Sequence, residues 1–267
     1  MKVIITGSRG FIGKNLYDTF SKKFEVQKLL FKNFSNLKEN DFKKKLRKQF
    51  FLFKPDIVIH AGTLFTKESS SEAKKKCLKI NYKYSRILLD IAIANNTKKF
   101  IYFGSNYEFE QNRTKIYPYL QSKQKFSRYI QKVNLKNTKL LAIYLFNTFG
   151  ENDKRKKVYS KFINNFKKKI IFYKKLKLNY INIKSLTSYI KLQLLNKWNF
   201  KKRLISVANK KYFTAKDLKM LKINFLSDTA PNDLIYEHKL LISIKKKYFN
   251  ANKDNSLYEF IKKKLYK

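Results

Sequence analysis

The chain has 267 residues, 43% of them hydrophobic and 16% aromatic, which excludes a disordered chain and allows one large domain or two small ones. A single cysteine, Cys77, excludes an internal disulfide and a cysteine-built zinc site, and with only two histidines no metal centre is expected. Its 62 basic residues outnumber 18 acidic ones for a net charge of +44, and only seven of the 62 are Arg, leaving 55 Lys.

Phe, Ile, Lys, Asn and Tyr are inflated together, while Gly (6) and Pro (3) are scarce. That joint bias reads as compositional drift, because a nucleic-acid footprint requires no extra Phe or Ile and favours Arg forks. Lys clusters at 43–45, 74–76, 167–169, 245–247 and 262–264 fall on different elements, as solvated faces do. No signal-peptide pattern opens the chain, and its apolar runs are shorter than a membrane span. A cytoplasmic protein without a specific nucleic-acid partner is expected.

Val3–Thr6 is a β-branched strand and Ile12–Lys23 reads as a helix. Between them lie Gly7, Gly10 and Gly13, half of the six glycines. In such a loop the first glycine makes the tight turn, the second lets backbone approach a pyrophosphate, and the third allows close helix–strand packing. The phosphates would meet the helix N-terminus around Phe11 and Ile12, whose free N–H groups favour an anion.

Glu25–Phe31 is a second strand, ending Leu29-Leu30-Phe31-Lys32-Asn33 without the acid that holds an adenosine ribose. Lys32 there and Arg9 in the loop favour a 2′-phosphate, hence NADP over NAD. A Lys-rich helix ends near Phe53 before Pro55, and Asp56–Ala61 is a buried strand whose His60 is a structural hydrogen-bonding residue. Glu72–Asn95 reads as one long helix, Lys99–Ser105 as the fourth strand, Tyr119–Val133 as a helix and Lys139–Phe146 as the fifth strand. Regular βα alternation with buried strands predicts an α/β fold, a doubly wound parallel sheet of Rossmann type.

After Gly150 the pattern loosens. Helices are expected at Lys156–Lys169, Ser185–Lys197, Thr214–Leu221 and Ser256–Tyr266, with strands at Ile170–Tyr173 and Leu204–Ala208. The predicted division is a dinucleotide-binding domain over 1–150 and a smaller α/β substrate-binding domain over 151–267, partly interleaved, with a cleft between them.

Five Tyr-x-x-x-Lys pairs begin at Tyr119, Tyr173, Tyr180, Tyr212 and Tyr258. With 18 Tyr and 55 Lys about four arise by chance, so position must choose among them. Only Tyr119/Lys123 opens the helix after the fourth strand, at the sheet edge where ligands bind, and Ser105 ends that strand. A lysine one turn away is expected to lower the tyrosine pKa by charge, so that Tyr119 can exchange a proton while Ser105 holds the substrate oxygen.

These features resemble the extended short-chain dehydrogenase/reductase family, the NAD-dependent epimerase/dehydratase group. TGSRGFIG is similar to its loop, Asp56–His60 to its D-x-V-x-H strand, FIYFGSNYEFE to F-x-S-S-x-x-V-Y-G, YLQSK to Y-x-x-S-K, and LFNTFGEND to R-x-x-N-x-Y-G-P. The resemblance implies catalysis by Ser105, Tyr119 and Lys123. It implies cofactor contacts from Gly7, Arg9, Gly10, Phe11, Ile12, Gly13, Lys32, Asn81 and Lys123, and substrate contacts from Ser105 and Asn147. The implied substrate is a nucleotide-sugar.

Two departures narrow the reaction. Asn106-Tyr107 follows Ser105 where dehydratases carry Asp-Glu, so dehydration is set aside. The family's R-D-F-x-x-V-x-D appears as Leu178–Ser185 without its Arg, and the Arg of R-x-x-N is missing near Tyr144. The expected reaction is NADPH-dependent reduction of a 4-keto-6-deoxy nucleotide-hexose in polysaccharide synthesis. The alternatives are an NAD-dependent 4-epimerase and, from another class, a relic Rossmann protein that binds RNA or other polyanions. A homodimer is left open.

Overall fold

The structure, a computed structural model, describes residues 1–34, 36–109, 117–155, 157–164, 170–173, 177–209, 212–222, 225–228, 245–249 and 256–266. It divides into two compact units, Met1–Leu145 with Tyr189–Ser206, and Phe146–Ser188 with Val207–Lys267.

The first unit is a parallel sheet covered by helices. Strand β1 (Lys2–Thr6) is apolar and β-branched, so both of its faces can be buried, and Val3, Ile4 and Ile5 are fully covered. It leads through the glycine loop into α1 (Phe11–Phe20), which buries Gly13, Leu16 and Phe20 at helical spacing. Strand β2 (Glu25–Leu29) is shorter than predicted. Phe31 turns inward against Phe42 and Tyr84, at 5.7 and 6.1 Å between ring centres, and the chain tightens into a 3₁₀ turn over Phe31–Phe34. Helix α2 (Glu39–Phe53) carries Glu39 and Asp41 in its first turn, where the helix dipole favours them, and buries Phe42, Leu46 and Phe50. Lys54 ends it in the left-handed conformation at φ 49°.

Strand β3 (Ile57–His60) is buried throughout. The predicted long helix at 72–95 is three segments in line: α3 (Ser71–Cys77), a π-helical stretch (Leu78–Tyr84) and α4 (Ser85–Ala94). Strand β4 (Lys99–Ser105), a 3₁₀ turn (Asn106–Phe109), α5 (Pro118–Lys132) and β5 (Lys139–Leu145) follow. Pro118 occupies the first turn of α5, where its missing N–H has no helical partner to lose.

The second unit holds β6 (Asn147–Phe149), α6 (Val158–Asn164), β7 (Ile170–Tyr173), β8 (Lys177–Leu178) and β9 (Tyr180–Asn182). Helix α7 (Ile183–Leu195) and strand β10 (Lys202–Asn209) carry the chain through the first unit and back. Strand β11 (Phe213–Thr214), α8 (Ala215–Met220), β12 (Phe225–Asp228), β13 (Lys245–Phe249) and α9 (Leu257–Leu265) complete the described elements. Small pairings, β6 with β9, β7 with β12 and β8 with β11, replace a broad sheet. Its core is aromatic, with Phe149, Tyr159, Phe162, Tyr180 and Phe213 among the buried residues. The C-terminal part of the helix predicted over 156–169, and two of the Lys clusters' side chains, lie outside the described residues.

Six strands of the main sheet run in the order β10-β5-β4-β3-β1-β2. Register pairs Thr6 with His60, His60 with Tyr102 and Ser105 with Leu145. The chain grows outward from β1 to β2, then crosses back to β3 and onward. The strand order therefore reverses between β1 and β3, and the loops after them flank the crevice where such sheets bind ligands. This is the expected doubly wound Rossmann-type fold. Among the described residues no helix is long and apolar enough to cross a membrane.

Candidate active site

The glycine loop lies at that reversal. Gly7 has φ +70°, a conformation that a side chain would strain, and its carbonyl accepts the Gly10 N–H at 2.8 Å. A Cβ on Gly7 would lie 2.6 Å from the Gly62 Cα in the loop after β3, and one on Gly13 would lie 2.2 Å from the Gly7 carbonyl oxygen. Two backbone segments and a helix thus meet with no room for side chains. Gly10 starts α1 in an extended conformation, and no acid occupies the first turn of that helix. The buried Ser8 hydroxyl beside it has no hydrogen-bond partner among the described residues. An unmatched hydroxyl, a dense glycine turn and a helix N-terminus suit a diphosphate.

Arg9 is exposed on this loop, and Phe11 and Ile12 begin the helix half-buried. Lys32 falls in the 3₁₀ turn after β2, and its side chain lies outside the described residues.

His60 is held between Thr6 and Ser85. Its Nδ1 lies 2.7 Å from the Thr6 hydroxyl and its Nε2 2.8 Å from the Ser85 hydroxyl. Burial, with the nearby Lys123 charge, lowers its pKa to about 3, so the ring is neutral at pH 7. The Thr6 hydroxyl also accepts the Gly62 N–H at 2.8 Å, tying the two loops at the crevice. These contacts suit the structural role read for His60.

Asn81 lies in the π-helical stretch and uses both ends of its amide on protein. Its oxygen accepts from the Leu64 N–H at 2.7 Å and the Thr63 hydroxyl at 3.1 Å. Its nitrogen donates to the Leu64 carbonyl at 2.9 Å and to the Ser122 hydroxyl at 3.0 Å. Ser122 in turn donates to the Tyr119 carbonyl at 2.8 Å. Asn81 therefore locks the loop after β3 to the first turn of α5; a π-helical stretch is a common device for placing such a residue.

Ser105 and Lys123 meet one buried carboxylate, whose charge also reaches Tyr119. Lys123, 4% exposed, donates to the Phe103 carbonyl at 2.9 Å, and its Nζ lies 5.9 Å from the centre of the Tyr119 ring. It is 3.8 Å from Oε1 of Glu108, a residue with no exposure at all. Glu108 accepts from the Ser105 N–H and from the Ser127 hydroxyl, each at 2.5 Å. The Ser105 hydroxyl accepts the Tyr107 N–H at 3.3 Å.

The electrostatics differ from the expectation for Tyr119. Its phenol is pushed upward, first by burial and then by the negative charge of Glu108, because Lys123 is turned toward that carboxylate. Burial likewise raises Glu108 and lowers Lys123, while each charge opposes the shift of the other.

Glu108 was not singled out from the sequence, although an acid between Tyr107 and Phe109, in a chain with only 18 acids, was a signal. Asn106 follows Ser105 and is fully committed, donating to the Tyr144 carbonyl at 3.1 Å and accepting from Ser206 at 2.8 Å. Asn147 opens β6 in the second unit, paired in register with Tyr180. Among the described residues no group of three or more His, Cys, Asp or Glu could hold a metal ion.

The profile of the NAD dependent epimerase/dehydratase family matches residues 3–182. No curated protein matches in sequence. Similar solved structures include a UDP-glucose 4-epimerase of Thermotoga maritima with UDP-glucose, at 16% identity and TM-score 0.70, covering 99% of this chain and 97% of that one. Others are the Bordetella bronchiseptica enzyme WbmG with NAD and UDP, at 14% identity, TM-score 0.72 and coverage of 99% and 94%, and a dTDP-4-dehydrorhamnose reductase of Bacillus anthracis with NADP, at 14% identity, TM-score 0.69 and coverage of 99% and 98%. At these identities the likeness is one of fold.

Proposed function

Because the chain belongs to the NAD dependent epimerase/dehydratase family, enzymes of the extended short-chain dehydrogenase/reductase type, we propose that it reduces a 4-keto-6-deoxy nucleoside-diphosphate hexose using NADPH. The observation that carries this reading is that Ser105 and Lys123 share the Glu108 carboxylate next to Tyr119, without free acids beside Ser105 among the described residues. Among the described residues Glu108 is the acid close by, and its oxygens face Ser105 N–H, Ser127 and Lys123. Among the described residues, elimination of water has no free acid and base pair beside Ser105.

The bound nicotinamide would supply hydride. Gly7, Ser8, Gly10 and Gly13, with the N–H groups of Phe11 and Ile12, would hold its diphosphate. Arg9 and Lys32 would meet a 2′-phosphate, which favours NADP; Asn81 would act on the cofactor side through the loop it fixes at Leu64. Ser105 would hold the 4-keto oxygen and Tyr119 would donate its proton. Burial first, and then the Glu108 charge, keep the Tyr119 phenol protonated at neutral pH, the form from which it would give its proton. Asn147, in the second unit, would contact the nucleotide-sugar.

The test is NADPH oxidation by the purified chain, presented with dTDP- and UDP-linked 4-keto-6-deoxy hexoses. Turnover is expected, and Tyr119→Phe should lower kcat by about 10²- to 10⁴-fold while leaving NADPH binding in place. No turnover with any of them, together with tightly held NAD on isolation and conversion between UDP-sugar epimers, would move the assignment to a 4-epimerase.

A further inference from the structure

Beneath the proposed reacting group lies a buried network that this reaction does not itself require. Glu108 has no exposure, and its environment comes from several elements. From α5 come Lys123 at 3.8 Å, the Ser127 hydroxyl at 2.5 Å and the more distant Tyr119. From β4 come the Tyr102 hydroxyl at 3.5 Å and the Ser105 N–H, and from β5 comes Tyr144, whose phenol also feels the carboxylate. His60 on β3 completes the surround, stacked 5.7 Å from the Tyr102 ring and facing the Lys123 charge. The Gln124 amide donates to the Glu108 carbonyl at 2.9 Å, so the main chain is held as well.

Lys123 is the cation of this cluster, and Glu108 is its anion. A buried charge is tolerated only when paired and hydrogen-bonded, and removing one member leaves the other unmatched. The same carboxylate grips the N–H of Ser105 and counters the ammonium that lies 5.9 Å from the Tyr119 ring centre. One side chain thus touches the strand end that presents Ser105 and the helix that presents Tyr119.

We propose that Glu108 is a positioning residue that keeps Lys123 protonated and fixes Ser105 against α5, so that the pH response of the reaction is set by a carboxylate that never meets substrate. This rests on the reading of Ser105, Tyr119 and Lys123 as the reacting group. It goes beyond that reading in assigning control of the lysine charge to Glu108.

The test has two parts, one of which needs no substrate. Glu108→Gln keeps the size and the acceptor for the Ser105 N–H but removes the charge. Lys123, already lowered by burial, then loses its counter-charge, and the alkaline limb of the kcat/KM profile should move to lower pH by about one unit. Ser127→Ala, which removes a hydrogen bond and no charge, should leave that limb in place. Superimposable profiles for Glu108→Gln and the parent would overturn the proposal, because a merely structural role is served by the amide.

The second part is a thermal-unfolding cycle on the full chain by circular dichroism. Glu108→Gln and Lys123→Met should each lower the midpoint, and the double substitution should lower it by less than the sum of the two. Additive losses would overturn the pairing whether or not any sugar is turned over. A positive cycle without turnover would instead leave the pairing standing and count against the proposed reaction.

Discussion

At the scale of single residues, the site is built from polar groups whose every contact is inward. His60 bridges Thr6 and Ser85, Asn81 bridges Leu64 and Ser122, and Asn106 bridges Tyr144 and Ser206. Each satisfies the rule that buried polar atoms need partners, and each ties segments far apart in sequence. His60 makes a testable contribution to stability. Burial lowers its folded pKa to about 3, whereas in the unfolded chain it titrates near the usual 6.5. Below pH 6.5 the unfolded state binds a proton that the folded state refuses, so stability falls as pH drops through the window from 6.5 to about 3, by at most about 1.4 kcal/mol per pH unit. Denaturant unfolding of His60→Gln across that window should show a correspondingly flatter slope than the parent, whatever the absolute loss from the substitution. Parallel slopes would show that His60 is charged in the fold.

At the scale of elements, the glycine loop and the lysine caps show how a drifting composition is constrained. Gly13 cannot accept a Cβ without moving α1 away from the Gly7 carbonyl at 2.2 Å, whereas the nearest atom to one on Gly10 is at 3.3 Å. Overpacking of the first kind costs about 1–3 kcal/mol. Gly13→Ala should therefore lower the unfolding midpoint and weaken NADPH binding, while Gly10→Ala should spare stability and act mainly on binding. Equal midpoints for the two would contradict the geometry. Several of the abundant lysines cap helix ends. Lys99 donates to the carbonyls of Gln193, Leu194 and Asn196 at the C-terminal end of α7, and Lys202 to those of Gln131 and Val133 at the C-terminal end of α5. A cation at a helix C-terminus is favoured by free carbonyls and dipole alike, so part of the lysine excess has structural work.

At the scale of the molecule, charge and chain path matter most. A net charge of +44 opposes compaction through self-repulsion, and the described ion pairs are mostly at exposed positions. Since the repulsion is screened within about 8 Å at physiological ionic strength, the thermal midpoint should rise with added KCl. A midpoint that falls with salt would mean that attractive pairs dominate instead. RNA binding that disappears with salt would follow from the same charge and would not speak for a nucleic-acid function. The first unit is discontinuous, because Tyr189–Ser206 returns to it and the Lys201 carbonyl accepts the Leu140 N–H at 2.9 Å. A fragment of residues 1–150 lacks that return and leaves β5 an unpaired edge, so it should aggregate or unfold at lower temperature than the full chain.

The sequence by itself determined the sheet and the loop. β-Branched strands, apolar residues at helical spacing and three glycines in seven residues each act through neighbours in the chain, so their meaning is local. It also singled out Tyr119/Lys123 among five such pairs, because order along the chain gives the sheet edge at which the pair falls. Tertiary structure decided what those residues experience. The break at Leu78–Tyr84 follows no change of apolar spacing, and the short strands of the second unit are too brief for a period to register. The upward shift of the Tyr119 phenol comes first from burial and then from a carboxylate 11 positions earlier, turned inward by Ser105, Ser127 and Lys123 together. Spacing along the helix placed the lysine near the tyrosine, but only the packing of α5 on β4 showed that Glu108 faces its charge.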